Sequence, residues 1–222
     1  MKRKKMAFDR EARRFVAIFA GITFLLGRES VHLGWVGTIL TVWCLYFFRD
    51  PERILPLDDG KTLISPADGR IVEIGFYAPP EELDLGTALL QRVSIFMSVF
   101  SVHVNRAPIA GTIERVVYIP GKFFNATLNK ASAHNEREVV SIRTAHGPLV
   151  YVRIAGLIAR RIRRDIREGN VVALGQRVGL IRFGSRVDVY LPPQAVLAVE
   201  EGQTMIAGET IIARFPGEAH VV

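Results

Sequence analysis

A mainly β domain, sandwich- or barrel-like with a few short helices, preceded by an N-terminal transmembrane or re-entrant helical hairpin, is the fold class this sequence predicts. Three observations predict it. The apolar excess is concentrated before residue 49. The rest of the chain is built from short Val- and Ile-rich stretches bounded by Gly, Pro or Asn, the pattern of many short strands. A length of 222 residues accommodates one domain of ordinary size with a small appendage.

Residues 1–14 form a basic tail, with Lys2, Arg3, Lys4, Lys5, Arg10, Arg13 and Arg14 set against Asp9 and Glu11. The hairpin occupies 15–48, as two apolar runs, 15–26 and 33–48, separated by Gly27-Arg28-Glu29-Ser30-Val31-His32. A spanning helix needs ~20 apolar residues, and neither run alone reaches that. Extended into the separator, each becomes a marginal span whose turn carries Arg28 and Glu29, placed to snorkel toward headgroups. Arg49 and Arg53 return to the side of the basic tail, so the positive-inside rule places tail and downstream domain at the cytoplasmic face of the cell membrane. Trp35, Trp43, Tyr46, Phe47 and Phe48 suit interfacial anchoring. A cleaved signal peptide needs small residues after Leu26, and Gly27-Arg28-Glu29 does not supply them. A buried helical pair in a soluble protein is the competing reading.

Pro51 cannot continue a helix, and 49–62, with Pro56, Asp58, Asp59 and Gly60, reads as a linker to a domain over 63–222. Strands are predicted at 70–76, 93–100, 112–118, 138–144, 149–154, 178–182, 186–191 and 210–215. The stretch 156–169 differs. Ile158, Ile162 and Ile166 recur every fourth residue, Arg160, Arg161, Arg163, Arg164 and Arg167 fall elsewhere, and Gly169 supplies a stop. That period predicts a helix whose basic face is either solvated or set against anionic lipid phosphates. Residues 199–210 resemble the turn-and-strand pattern of lipoyl or biotinyl carriers, but contain no lysine to modify.

The formal net charge of +7 implies an anionic partner, a membrane or a nucleic acid. The positive residues bracket apolar runs instead of forming an aromatic-interleaved patch, which argues against nucleic acid. Cys44 is the only cysteine, so neither a disulfide framework nor a cysteine zinc site is expected, and no metal site is assigned.

Three places carry residues suited to chemistry: Asp68 in Ser65-Pro66-Ala67-Asp68-Gly69-Arg70, His103 in Phe100-Ser101-Val102-His103-Val104-Asn105-Arg106-Ala107-Pro108, and Ser185 in Phe183-Gly184-Ser185-Arg186. Each alone reads as a turn or a structural residue. Together an Asp, a His and a Ser at strand edges are the types needed to activate a hydroxyl. A serine hydrolase places its nucleophile on a strand-to-helix elbow. Here Ser185 is followed by Arg186-Val187-Asp188-Val189-Tyr190, which alternates like a strand.

With these blocks the chain resembles the phosphatidylserine decarboxylase proenzyme family, in its short bacterial and archaeal form. The resemblance is carried by Tyr46-Phe47-Phe48-Arg49-Asp50-Pro51-Glu52-Arg53, Ser65-Pro66-Ala67-Asp68-Gly69, Ser101 to Pro108, Asn135-Glu136-Arg137 and Arg182-Phe183-Gly184-Ser185-Arg186-Val187-Asp188, in order along nearly the whole chain. It implies a zymogen of phospholipid biosynthesis that cleaves itself between Gly184 and Ser185 into chains 1–184 and 185–222. These would stay together as a heterodimer, with further oligomerisation open. It implies that Ser185 becomes a covalent pyruvoyl group, that His103 is the general base and that Asp68 orients it. The implied reaction converts phosphatidylserine to phosphatidylethanolamine and carbon dioxide through a Schiff base to that group. Many relatives carry a second histidine where this chain has Arg106, so its role falls to His103 or to another group such as His134. Two alternatives stay open: a related phosphoserine lipid as substrate, and a non-enzymatic membrane-anchored β adaptor. The loop containing Phe123 and Phe124 either dips toward lipid or caps the core.

Overall fold

The structure is a computed structural model that describes residues 6–121, 135–156, 161–182 and 184–216. Lys2 to Lys5 of the basic tail, Phe123, Phe124 and His134 lie outside the described residues. The chain divides into two compact units, one running to Arg53 and including Phe100–Val102, the other holding Ile54–Val99 and everything from His103 onward.

The first unit is a helical hairpin on a short ribbon. Helices α1 (Ala12–Glu29) and α2 (Val31–Phe47) are separated by Ser30, whose extended backbone (φ −156°, ψ 135°) interrupts the helical path. Strand β1 (Met6–Phe8) pairs antiparallel with β2 (Arg49–Pro51), which lies in the stretch read as linker. The Asp9 carbonyl accepts the Ala12 N–H at 2.9 Å and its carboxylate accepts that of Glu11, also at 2.9 Å, so two of the donors left open at a helix start are satisfied. The helices meet through small residues. A Cβ on Gly34 would lie 3.1 Å from the Gly27 Cα, and one on Gly37 would lie 2.7 Å from the Thr23 hydroxyl. The Thr23 and Thr41 hydroxyl oxygens lie 3.0 Å apart across the pair, each also within reach of a carbonyl of its own helix, so that one can donate across the pair while the other donates to its own carbonyl. Close approach of small residues with internally satisfied hydroxyls is how helices associate where water does not drive them together. The outer surface is apolar, with Phe24, Trp35, Ile39 and Val42 all more than half exposed. The predicted hairpin is present, and among the described residues no helix is long and apolar enough to cross a membrane.

The second unit is β-rich. Its main sheet is antiparallel, in the order β11 (Val171–Val172), β7 (Gly111–Ile119), β8 (Arg137–Thr144), β9 (Gly147–Ala155), β13 (Ser185–Leu191), β5 (Leu90–Met97), β4 (Gly69–Tyr77) and β15 (Thr204–Met205). It curls into a half-barrel. Register shifts between Ile71 and Glu73 in β4, and between Ile113 and Arg115 in β7, are the local irregularities that bend strands. Two three-stranded sheets accompany it: β10 (Ile162–Arg164), β12 (Arg177–Ile181) and β6 (Val104–Arg106), and β14 (Val196–Leu197), β16 (Ile211–Arg214) and β3 (Thr62–Ile64). The main core joins one face of the large sheet (Ile71, Val93, Ile95, Ile142, Tyr151, Val187, Val189) to Leu63, Val178, Ile181 and Ile212 of the smaller ones. A second cluster (Leu83, Val139, Val150, Val152, Ile154, Tyr190) covers part of the other face.

The helix predicted over 156–169 does not form. Residues 157–160 lie outside the described residues, but Ile162–Arg164 is a strand whose residues pair with Ile181, Leu180 and Gly179. A spacing of four is even, so Ile162 and Ile166 share a side in a strand as well as in a helix. Pairing with β12 decides between the two periods.

Strand β13 is buried along its whole length, although its alternation reads as polar-out. On the face away from the main core, Arg186 donates to Asp188 (2.5 Å), to the Ser94 hydroxyl (2.7 Å) and to Glu73 (3.2 Å). Arg92 also bonds Glu73, at 2.5 Å, and stacks over the Tyr77 ring. Two guanidiniums thus face two carboxylates. Burial works to raise the Glu73 carboxyl, but the Tyr77 hydroxyl, Arg92 and Arg186 outweigh it and hold it below the usual carboxylate range. A depressed carboxylate contributes stability above its unfolded value of about 4.3, and that stability is lost as pH falls through the folded value. Arg186→Met leaves Asp188 and Glu73 short of a cation, and is expected to cost about 3–5 kcal/mol. Denaturant unfolding at neutral pH measures this, and the deficit shrinks in acid as the carboxylates protonate.

Candidate active site

Ser185 is the first residue of β13, the strand held between β5 and β9, where it sits opposite Met97 on one side and Ala155 on the other. It is fully buried, and its hydroxyl has no hydrogen-bond partner among the described residues. Buried polar groups are nearly always paired, so this hydroxyl is an exception among the described residues. Gly184 precedes it at φ +64°, a left-handed conformation that costs a residue bearing a Cβ roughly 1–2 kcal/mol.

His103 reaches the same point from another sheet. Its carbonyl accepts the Ile181 N–H at 3.3 Å, and the next residue opens β6, which pairs with β12. The ring is fully buried, and its Nε2 accepts the Gly184 N–H at 3.3 Å. Nε2 is therefore the unprotonated nitrogen, with the ring proton on Nδ1. A base thus lies directly against the Gly184–Ser185 junction.

Asp68 lies in the turn before β4, and its carboxylate accepts the Ala207 N–H at 2.7 Å. The Ile64 N–H bonds the Pro108 carbonyl and the Arg106 N–H bonds the Pro66 carbonyl, both at 2.9 Å. The segment leading up to Asp68 therefore runs antiparallel beside the one leading back to His103. Arg70 pairs with Phe96, which pairs in turn with Arg186, so Asp68 stands at the same end of the large sheet as Ser185. The guanidinium of Arg106 donates to the Gly175 carbonyl at 3.0 Å and is almost fully buried.

Two further groups belong to this region and have no role in the sequence reading. Asn105 is fully buried and directs its amide nitrogen to the Met97 sulfur at 3.7 Å, while its side-chain oxygen has no partner among the described residues. Asn135 donates to the Ala155 carbonyl at 2.8 Å, and the Ala155 N–H bonds the Glu136 carbonyl at 2.9 Å. Both asparagines thus contact a residue that flanks Ser185. The only signal for them in the sequence is that they fall inside the blocks quoted above.

A cleft of about 330 Å³ between 78–82 and Arg137, Asp188 and Tyr190 opens onto the face of β13 opposite Ser185, so it is not the reacting centre. Among the described residues no group of three or more His, Cys, Asp or Glu side chains is placed to hold a metal ion.

A hydroxyl sequestered from solvent, next to a glycine in a left-handed conformation whose N–H rests on an imidazole nitrogen, is poorly placed for hydrolysing a soluble substrate and well placed for chemistry at the adjacent backbone. Fold and site together define a β-rich enzyme with a buried serine centre. The family model for phosphatidylserine decarboxylase matches residues 40–213, more than half of the chain, and the chain belongs to that family. The family comprises pyruvoyl-dependent carboxy-lyases that cleave themselves autocatalytically. The activity is the decarboxylation of phosphatidylserine, a step of phospholipid biosynthesis.

Proposed function

We propose that the chain is a zymogen in which Ser185 is converted to the pyruvoyl group, with His103 as proton carrier and Asp68 as its positioning residue. The observation that carries this is the buried Ser185 hydroxyl, without a partner among the described residues, following a glycine whose N–H rests on His103. The residues present fit the group: the precursor hydroxyl is not engaged by any other described residue, and Gly184 has the left-handed backbone that only glycine adopts freely.

The Ser185 hydroxyl attacks the Gly184 carbonyl carbon, and the peptide nitrogen leaves with a proton, so that an ester replaces the amide. A base then takes the Cα proton of Ser185. Elimination expels the Gly184 carboxylate and cuts the chain. Hydrolysis of the remaining dehydroalanine releases ammonia and leaves the ketone at position 185. His103, with a lone pair at Nε2 turned to the junction, is the base for these transfers. When present, the pyruvoyl group supplies the electron sink for the carbanion left by loss of carbon dioxide. His103 then returns a proton to the substrate Cα. Asp68 acts through His103, by holding the imidazole and its charge.

The hairpin is read as embedding in the membrane from one side. Its small-residue packing and apolar exterior support insertion, and helices of 18 and 17 residues favour a re-entrant path over a full crossing. Arg10, Arg13, Arg14, Arg49 and Arg53 at its base support a cytoplasmic orientation. A substrate with two acyl chains leaves a bilayer at a cost of ~0.8 kcal/mol per methylene, so an interfacial enzyme avoids extracting it. The two cleavage products remain together as a heterodimer.

Intact mass spectrometry of the purified protein tests the reading. Two chains are expected, 1–184 and 185–222, the second one mass-shifted and blocked to N-terminal sequencing. An active protein with a single full-length mass sinks it.

A further inference from the structure

We infer that the hairpin carries a binding groove for one acyl chain of an anionic phospholipid, whose phosphate is held by Arg10 and Arg13. This rests on the reading of the hairpin as membrane-embedded. The groove has a volume of about 750 Å³, within the ~300–1,000 Å³ typical of small-ligand sites. Val16, Ala17 and Ala20 of α1, Leu45 of α2 and Phe8 supply its apolar lining, and Arg10 and Arg13 line it toward the start of α1.

The sequence explains the shape. Arg13, Ala17 and Ala20 follow one another along one face of α1, about 10 Å from first to last. Ala17 and Ala20 are exposed and present single methyl groups, whereas Ile18 and Ile22 on the neighbouring face are large and half exposed or more. The small side chains leave a trough that lies alongside Leu45. Asp9 also lines the groove, and the formal charges of its three ionisable lining residues, two guanidiniums and one carboxylate, sum to a positive value. An apolar trough ending in net positive charge is complementary to a single chain with an acidic head, and each cation near such a head favours it by about fivefold.

The test uses the full chain reconstituted in phosphatidylcholine nanodiscs containing phosphatidylglycerol, an anionic lipid that is not the substrate. Native mass spectrometry of the released protein should show one retained phosphatidylglycerol. Ala17→Trp and Ala20→Phe fill the trough and should each abolish retention. Arg13→Gln should retain lipid but lose preference for phosphatidylglycerol over phosphatidylcholine by about fivefold. All three variants should float with vesicles and show the gel pattern of the unaltered chain. Retention unaffected by both filling substitutions, or a second copy of the chain in place of the lipid, overturns the groove while leaving membrane insertion intact. Failure of the unaltered chain to float overturns insertion, and the groove with it.

Discussion

Ser185→Ala is expected to yield one uncleaved polypeptide with no decarboxylase activity. The substitution removes a single oxygen from a fully buried site where that atom has no hydrogen bond among the described residues. Nothing is left unsatisfied, and burying a methyl group in its place costs little. Folding should therefore survive, with an unfolding midpoint close to that of the uncleaved parent. Chemistry should not survive, because no neighbouring side chain can become a backbone ketone. A denaturing gel and a carbon dioxide release assay read both outcomes. Two bands from the alanine variant would place the cleavage elsewhere.

His103→Gln is expected to slow self-cleavage by 10²–10⁴-fold, the usual contribution of a positioned acid–base group. Glutamine is the informative replacement because its side-chain oxygen can still accept the Gly184 N–H, as Nε2 does at 3.3 Å. The contact is preserved while the base is lost. Cleavage at the parental rate would make His103 a structural acceptor only.

The long strands were legible because Val, Ile and Tyr cluster over six or more residues between turn signals, as in β4, β7, β8 and β9. Short strands such as β3, β6, β11 and β15 span two or three residues, too few to show any period. The 156–169 stretch misled because a four-residue repeat serves both periods, and only the partner β12 distinguishes them. Within the site, Ser185, His103 and Asp68 could be found from residue type and block order. What the sequence did not reveal was burial. Arg186 and Asp188 alternate with Val187 and Val189 and look solvent-facing, yet they lie in a closed charge network with Glu73 and Arg92. The approach of His103 to Gly184, across 81 residues, depends on β6 and β12 pairing, and no local pattern encodes that.

The cut proposed between Gly184 and Ser185 has a further consequence. The described residues after 184 are threaded through the rest of the second unit: β13 occupies the middle of the large sheet, β15 lies beside β4, and β16 lies beside β3. Once severed there, the pieces are interlocked but no longer one molecule. Recovery from the denatured state then needs an encounter between two chains, so it becomes second order in protein and fails on dilution. The uncut precursor, whose ends are tethered, refolds at any concentration. Folding must come first and scission second, and the mature enzyme is recovered poorly once it has been unravelled.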